Sequence, residues 1–320
     1  MSAVCLRWPG AFGILVFHGP VAQLGARLNG IEEVEGSNPS RSTKMQAFVK
    51  RLRAPQMELM GTGRVLRSHP RGMRMNHPPN VDEIERQVAQ ETRQRETKTL
   101  ASIEALLGTF LPAFRETGQF TLAESNRREQ VWWLLVGQSF NSLRWAFHLL
   151  QIGYYTQALI LERSVEENWL VCQDCLEHAG TVDALFDDSK RMPTFRDMAN
   201  RLPENLRNTW QAPKGQPQQA YGILSTISHP RPRALRLAFD FDNNRPRVGP
   251  GYNEPLFVFT SLYILVGTIS ITGFLVRLVS DESKEPLMAE MQRADDYLGS
   301  LRHRAERLTS TVSNVKPSDG

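Results

Sequence analysis

The stretch Pro255–Val276 runs for 22 residues without a charged side chain, and no other feature restricts the available folds as much. As a helix it spans about 33 Å, enough to cross a bilayer, and in water it has to be enclosed on every side. Ser261, Thr268 and Thr272 recur at steps of seven and four, a small hydroxyl-bearing stripe among Phe257, Phe259, Leu262, Ile264 and Phe274. A buried central helix and a packed membrane helix both carry such a stripe. No second run of this kind follows, and the amphipathic segments before it need a shared core. The reading is therefore a buried central helix in a cytoplasmic protein, with a single membrane span at 255–276 as the alternative.

Around that run, apolar residues recur at helical spacing from Val81 onward, and strand-like alternation is nearly absent. The fold class is all-α, a multi-helix bundle. A first helix is expected over 81–116, polar early and apolar late through Ile103, Leu106, Leu107, Phe110 and Leu111. A second starts at Thr121, with Glu124 at capping-box spacing, and ends before Gly153. A third follows a tight turn, with Tyr154, Ala158, Leu161, Val165, Asn168, Cys172 and Cys175 as its core seam. Short polar helices over 181–201, kinked or split at Pro193, and over 203–211 form a cover. A short helix then runs through Ser228 and stops at Pro230. Residues 231–253, with Asn243, Asn244, Gly249 and Gly251, form an irregular loop or small hairpin, and a charged helix over 284–309 closes the domain.

The first eighty residues belong to a different kind of sequence. They hold 11 Lys and Arg against 4 Asp and Glu, leaving 27 against 30 in residues 81–320, so the helical part is slightly acidic although the whole chain carries a formal +4. That balance gives no support to a nucleic-acid partner. Residues 19–43 resemble a translated tRNA gene. Val21–Gly25 back-translates to a D-arm and Gly36–Pro39 to a T-arm, and the 25 codons from Gly19 to Thr43 match about one tRNA in length. Residues 1–74 are read as a non-native or disordered extension, with Met73 or Met75 as the start; 75–312 as one helical domain; and 313–320 as a disordered tail. Three cysteines are too few for a disulfide framework.

Several constellations carry candidate chemistry. Asn141, Arg144 and His148 share one stripe of the second helix. Arg163 has ion-pair spacing to Glu166 and Glu167, and becomes an anion binder if it faces the following loop. Tyr221, Ser225 and His229 lie at steps of four along the short helix, beside a loop bearing Arg231, Arg233, Arg236, Arg245 and Arg247. Ligand binding is assigned to Asn141, Arg163, Glu167, Tyr221, Ser225 and His229, and the catalytic candidates are Arg144, His148 and His229. Cys172 and Cys175 form a C-x-x-C inside the apolar seam and read as core thiols rather than a metal site. No cofactor or metal is expected, and no P-loop, G-x-G-x-x-G, H-E-x-x-H or G-x-S-x-G motif occurs.

Residues 141–168, followed by Y-G-I-L-S-T-I-S-H-P at 221–230, resemble a bacterial family of helical domains of unknown function. In that family a helix pair turning at a glycine, an Arg-x-x-x-Glu stretch and a Tyr/Leu-Ser/His segment recur. The resemblance implies a helical fold and no particular activity. The function expected on this basis is a binding or interaction module, in stress or phage response, with a protein partner or a second copy as its partner. The chain is also similar to HEPN-type helical nucleases, which use an Arg followed by four to six residues and a His. Arg144 and His148 are separated by only three residues, and this likeness implies a metal-independent RNase as the alternative.

Overall fold

The computed structural model describes residues 80–117, 126–187, 189–203, 224, 227–228, 239–240, 245–246 and 249–313. Among these lie α1 (Val81–Thr117), α2 (Arg127–Gln151), α3 (Tyr155–Glu177), α4 (Ala179–Phe186), α5 (Phe195–Arg201), α6 (Glu254–Leu278) and α7 (Asp281–Ser313). The all-α bundle read from the sequence is the architecture observed. The loop near 231–253 pairs two short antiparallel strands, β1 (Phe239–Asp240) and β2 (Arg245–Pro246), with Phe239 opposite Pro246.

The charge-free run is the hub. α6 touches α1, α2, α3 and α7, and its residues from Leu256 to Ile269 are all buried. A helix apolar on every face is stable in this place because neighbours cover every face. α1, α3 and α6 run in one direction and α2 and α7 in the other. Thus Phe110 of α1 stacks on Phe140 of α2 with centroids 4.7 Å apart, Trp132 of α2 donates to the Cys172 carbonyl of α3 at 3.2 Å, and Tyr155 and Phe257, near the starts of α3 and α6, meet edge to face. By length and composition α6 is also long enough to cross a membrane; here it is the core of the bundle.

Local chemistry sets the helix ends. α2 begins at Arg127, not at Thr121: the capping box is Asn126 with Glu129, the Asn126 side chain accepting from the Glu129 amide at 3.1 Å and Glu129 accepting from the Asn126 amide at 3.3 Å. Two S/T/N-x-x-E spacings stand five residues apart in the sequence, and the second adjoins the apolar run. Thr121 and Glu124 lie outside the described residues. α4 and α5 are separate helices with Pro193 between them, and Thr194 with Asp197 forms the box that starts α5. The last helix spans 281–313, longer at both ends than expected, with Pro286 inside it. The segments 1–79, 204–223 and 314–320 fall outside the described residues.

The turn between α2 and α3 depends on glycine. Gly153 has φ +83°, and a Cβ there would stand 2.7 Å from the Gly251 carbonyl oxygen. Left-handed backbone and close approach to another strand of main chain both demand the residue without a side chain.

The seam assigned to α3 is displaced by one position in its middle. Ala158, Val165, Cys172 and Cys175 are buried as expected, but Glu162 and Trp169 occupy the core where Leu161 and Asn168 were placed. α3 packs against both α2 and α6, so it buries a broader arc than a single seam predicts, and Leu161 and Asn168 fall on its edge. Asn168 is held there by donating to Ser139 of α2 at 3.1 Å.

Candidate functional site

The middle of α3 reads Glu162-Arg163-Ser164-Val165-Glu166-Glu167, four ionisable side chains in six positions. One helical turn divides them into two pairs. Glu162 and Glu166, at i and i+4, turn toward α6, and Arg163 and Glu167, also at i and i+4, turn outward.

Glu162 is fully buried, and neither of its carboxyl oxygens has a hydrogen-bond partner. Its carboxyl lies directly against the α6 backbone at Gly267. A Cβ built on that glycine would collide with Oε1 and stand 2.9 Å from Cδ. Burial drives the Glu162 carboxyl well above the usual carboxylate range, and the neighbouring Glu166 adds to the rise. Glu166, one turn on and partly exposed, is raised by burial to about 7. Tyr263 faces both from α6. It is fully buried, and its phenol is held well above normal by burial first, then by Glu166 and Glu162. One turn earlier on the same α6 face, the buried Thr260 hydroxyl also lacks a partner. Buried polar groups left unsatisfied cost several kcal/mol each in an apolar medium, on the order of 2–7, so the two Glu162 oxygens stand out as a place where packing has yielded to chemistry.

The outward pair joins a second element. Arg163 holds Glu167 at 2.9 Å with both side chains about one-fifth exposed, and its Nη1 donates to Ser228 Oγ at 2.5 Å. Leu224 and Ile227 of the same stretch of sequence are buried. Ser228 is thus held against the outer side of α3 by Arg163; the loop that anion binding was expected to require lies largely outside the described residues. Tyr221, Ser225 and His229 belong to the same stretch of sequence but lie outside the described residues, as do the side chains of Arg231, Arg233, Arg236, Arg245 and Arg247.

The stripe on α2 does not converge. Asn141, Arg144 and His148 are all exposed, and His148 meets only the edge of the exposed Trp145 among ring contacts, at 5.8 Å. Nothing described brings a second acid or base to His148 or Arg144. The expected ion pairing of Arg163 with both glutamates is also corrected: Glu167 is the partner, while Glu166 serves the buried cluster. Cys172 and Cys175 are buried free thiols, raised by burial, Cys175 to about 12. A thiol so shielded is inert. Among the described residues no three His, Cys, Asp or Glu gather as metal ligands.

Two further polar clusters are structural in form. Arg304 of α7 grips Glu96 through both amino groups at 2.6 Å and Glu254 at 2.6 Å, while Tyr252 donates to Glu96 at 2.6 Å. Glu96 is 2% exposed and sits at a break in α1, with φ −121° and ψ 24°. At the other end, buried Asp174 accepts from Thr181 at 2.5 Å and Arg201 at 3.3 Å, tying α3 to α4 and α5. Beside it opens a cleft of about 480 Å³ lined by Arg127, Arg128, Trp132, Ala179, Val182 and Asp183.

Glu162, Tyr263 and Gly267 escaped the reading of the sequence, and Glu166 entered it only as an ion-pair partner of Arg163. The available signal was slight: Glu162 falls four residues after Ala158 and three before Val165, in core register, and Gly267 interrupts a run of large apolar residues. Comparisons with known protein families, with curated proteins and with solved structures return no match.

Proposed function

We propose that the chain is a binding module whose ligand sits at the seam between α3 and the segment through Ser228. One observation carries this reading: Arg163 reaches from α3 to Ser228 while pairing with Glu167, directly outside a carboxyl buried without a partner. A half-buried guanidinium with in-plane donors suits a carboxylate or phosphate, and Glu167 orients it. Ser228 marks the other side of the seam in this reading, and Tyr221, Ser225 and His229 are its neighbours in sequence. The nuclease alternative draws no support from the exposed, unassociated Arg144 and His148.

The test is a thermal-shift screen of the whole chain against small carboxylates and phosphates at fixed ionic strength, run beside Arg163→Ala. At least one compound class is expected to raise the wild-type midpoint and to leave the variant unmoved. If no compound separates the two proteins, the seam is not a binding site. Incubation with total RNA guards the other side, since cleavage that His148→Ala abolishes would replace the binding reading with the catalytic one.

A further inference from the structure

From Gln130 to Leu161 the chain holds no acidic residue, no lysine and a single arginine, Arg144. A helix pair with one side in water normally covers that side with charge. The outward side of α2 and α3 is nearly bare of it: Leu134 is 58% exposed, Trp145 64% and Ile160 43%. On α2, Leu134, Gln138, Asn141, Trp145 and His148 are all exposed and follow steps of four, three, four and three, the spacing of a coiled-coil seam with Asn141 at its midpoint. α3 widens the surface. Ser164 donates to Ser142 at 3.4 Å and Asn168 to Ser139 at 3.1 Å, a register that sets the turn of α3 at Ile160 level with Trp145. The next carboxylates along α3 are withdrawn, Glu162 into the core, Glu166 toward Tyr263 and Glu167 to Arg163.

We infer that this surface is a two-fold interface between two copies of the chain, with the two α2 helices packed antiparallel and crossing at Asn141. Charge selects a second copy. A surface that meets itself must not repel itself, and here the only fixed charge, Arg144, lies three residues from the crossing, which holds the two Arg144 residues about 9 Å apart along the helices, near a Debye length. Asn141 meets its own copy at the centre, where an amide both donates and accepts. A single polar residue in such a seam fixes its register. Area agrees with this occupant. From Leu134 to Ile152 the surface is about 27 Å long and, two helices wide, about 20 Å across; two copies therefore bury on the order of 1,000 Å² in all, the lower bound for a specific dimer. Trp145 and Arg144 are of the side-chain types that carry most binding energy at such contacts. The Arg163 seam is no part of this surface, so the two readings stand or fall separately.

Sedimentation equilibrium of the whole chain across a wide concentration range is the experiment, run beside Trp145→Glu and Arg163→Ala. The wild type should reach a dimer that dissociates on dilution. Trp145→Glu should weaken that dimer by at least about tenfold while keeping the circular dichroism spectrum, because the indole stands outside the core. Arg163→Ala should leave it unchanged. A second variant tests the geometry without weakening the contact: in a Cys5→Ser background, a short bis-maleimide should join two copies through Asn141→Cys and not through Thr97→Cys, exposed on α1. A monomer at every concentration overturns the inference. So does a dimer equally tight in Trp145→Glu, or one that Thr97→Cys links as readily as Asn141→Cys.

Discussion

Glu162 shows what one residue can impose on a core. A carboxyl with both oxygens unpartnered in a helix interface is unfavourable as an ion, so the folded chain keeps it protonated well above the pH at which an unfolded glutamate ionises. The sign of the pH dependence follows. Glu166 rises from 4.5 to about 7 and Glu162 rises as well; between those values the folded chain binds more protons than the unfolded one, so stability is highest at the acid end and falls as pH climbs through 7. Thermal midpoints from pH 5 to 8 in choline chloride should therefore decline in the wild type. Glu162→Gln should flatten that decline and leave the variant more stable than the wild type at pH 8. An undiminished slope in the variant would show that the carboxyl is not the source. The exposed carboxylates Asp187, Asp197 and Asp281 are held low by hydroxyl, amide or lysine partners and act only below this window.

At the scale of elements, the helices were largely legible because apolar period, proline and glycine act locally. The 81–116 expectation ends one residue short of α1, Gly153 marks the α2–α3 turn, and Pro193 separates α4 from α5. What could not be read was which neighbour each face would meet. α3 was given one seam, and its contact with α6 brought Glu162 inward; Asn141, Arg144 and His148 share a stripe, but that stripe has no second wall among the described residues. For the same reason the contact of Arg163 with Ser228 was not legible: the spacing offered ion pairing with Glu166 and Glu167 or a turn toward the following loop. The turn makes a sharp prediction. Gly153→Ala combines left-handed strain with collision against Gly251, and its cost in denaturant unfolding should exceed about 2 kcal/mol, the upper end of the roughly 1–2 kcal/mol of the strain alone. A loss below about 0.5 kcal/mol would mean that the turn does not press on residue 251.

For the whole molecule, the long charge-free helix decided the architecture because only a bundle that surrounds α6 can bury it in water. The account expects native protein to be recovered without detergent, with a circular dichroism spectrum dominated by helix. Arg304 closes the assembly by binding α1 through Glu96 and the start of α6 through Glu254. Removing it leaves the buried Glu96 carboxylate with only hydroxyl donors. Arg304→Ala should cost on the order of 3 kcal/mol in equilibrium unfolding, and Arg304→Lys should recover only part, because a lysine cannot grip two carboxylates with planar donors. A loss near zero for Arg304→Ala would remove the clamp from the account.

The central claim is that the α3 carboxyl at position 162 occupies the space a side chain at position 267 would need. A double-mutant cycle of Glu162→Ala and Gly267→Ala, read by denaturant unfolding at pH 6, measures that contact directly. The account predicts that Gly267→Ala costs about 1–3 kcal/mol in the wild type, as overpacking does, and loses at least about 1 kcal/mol of that cost once Glu162 is alanine. Costs that add to within about 0.5 kcal/mol would contradict the contact on which the buried cluster is built.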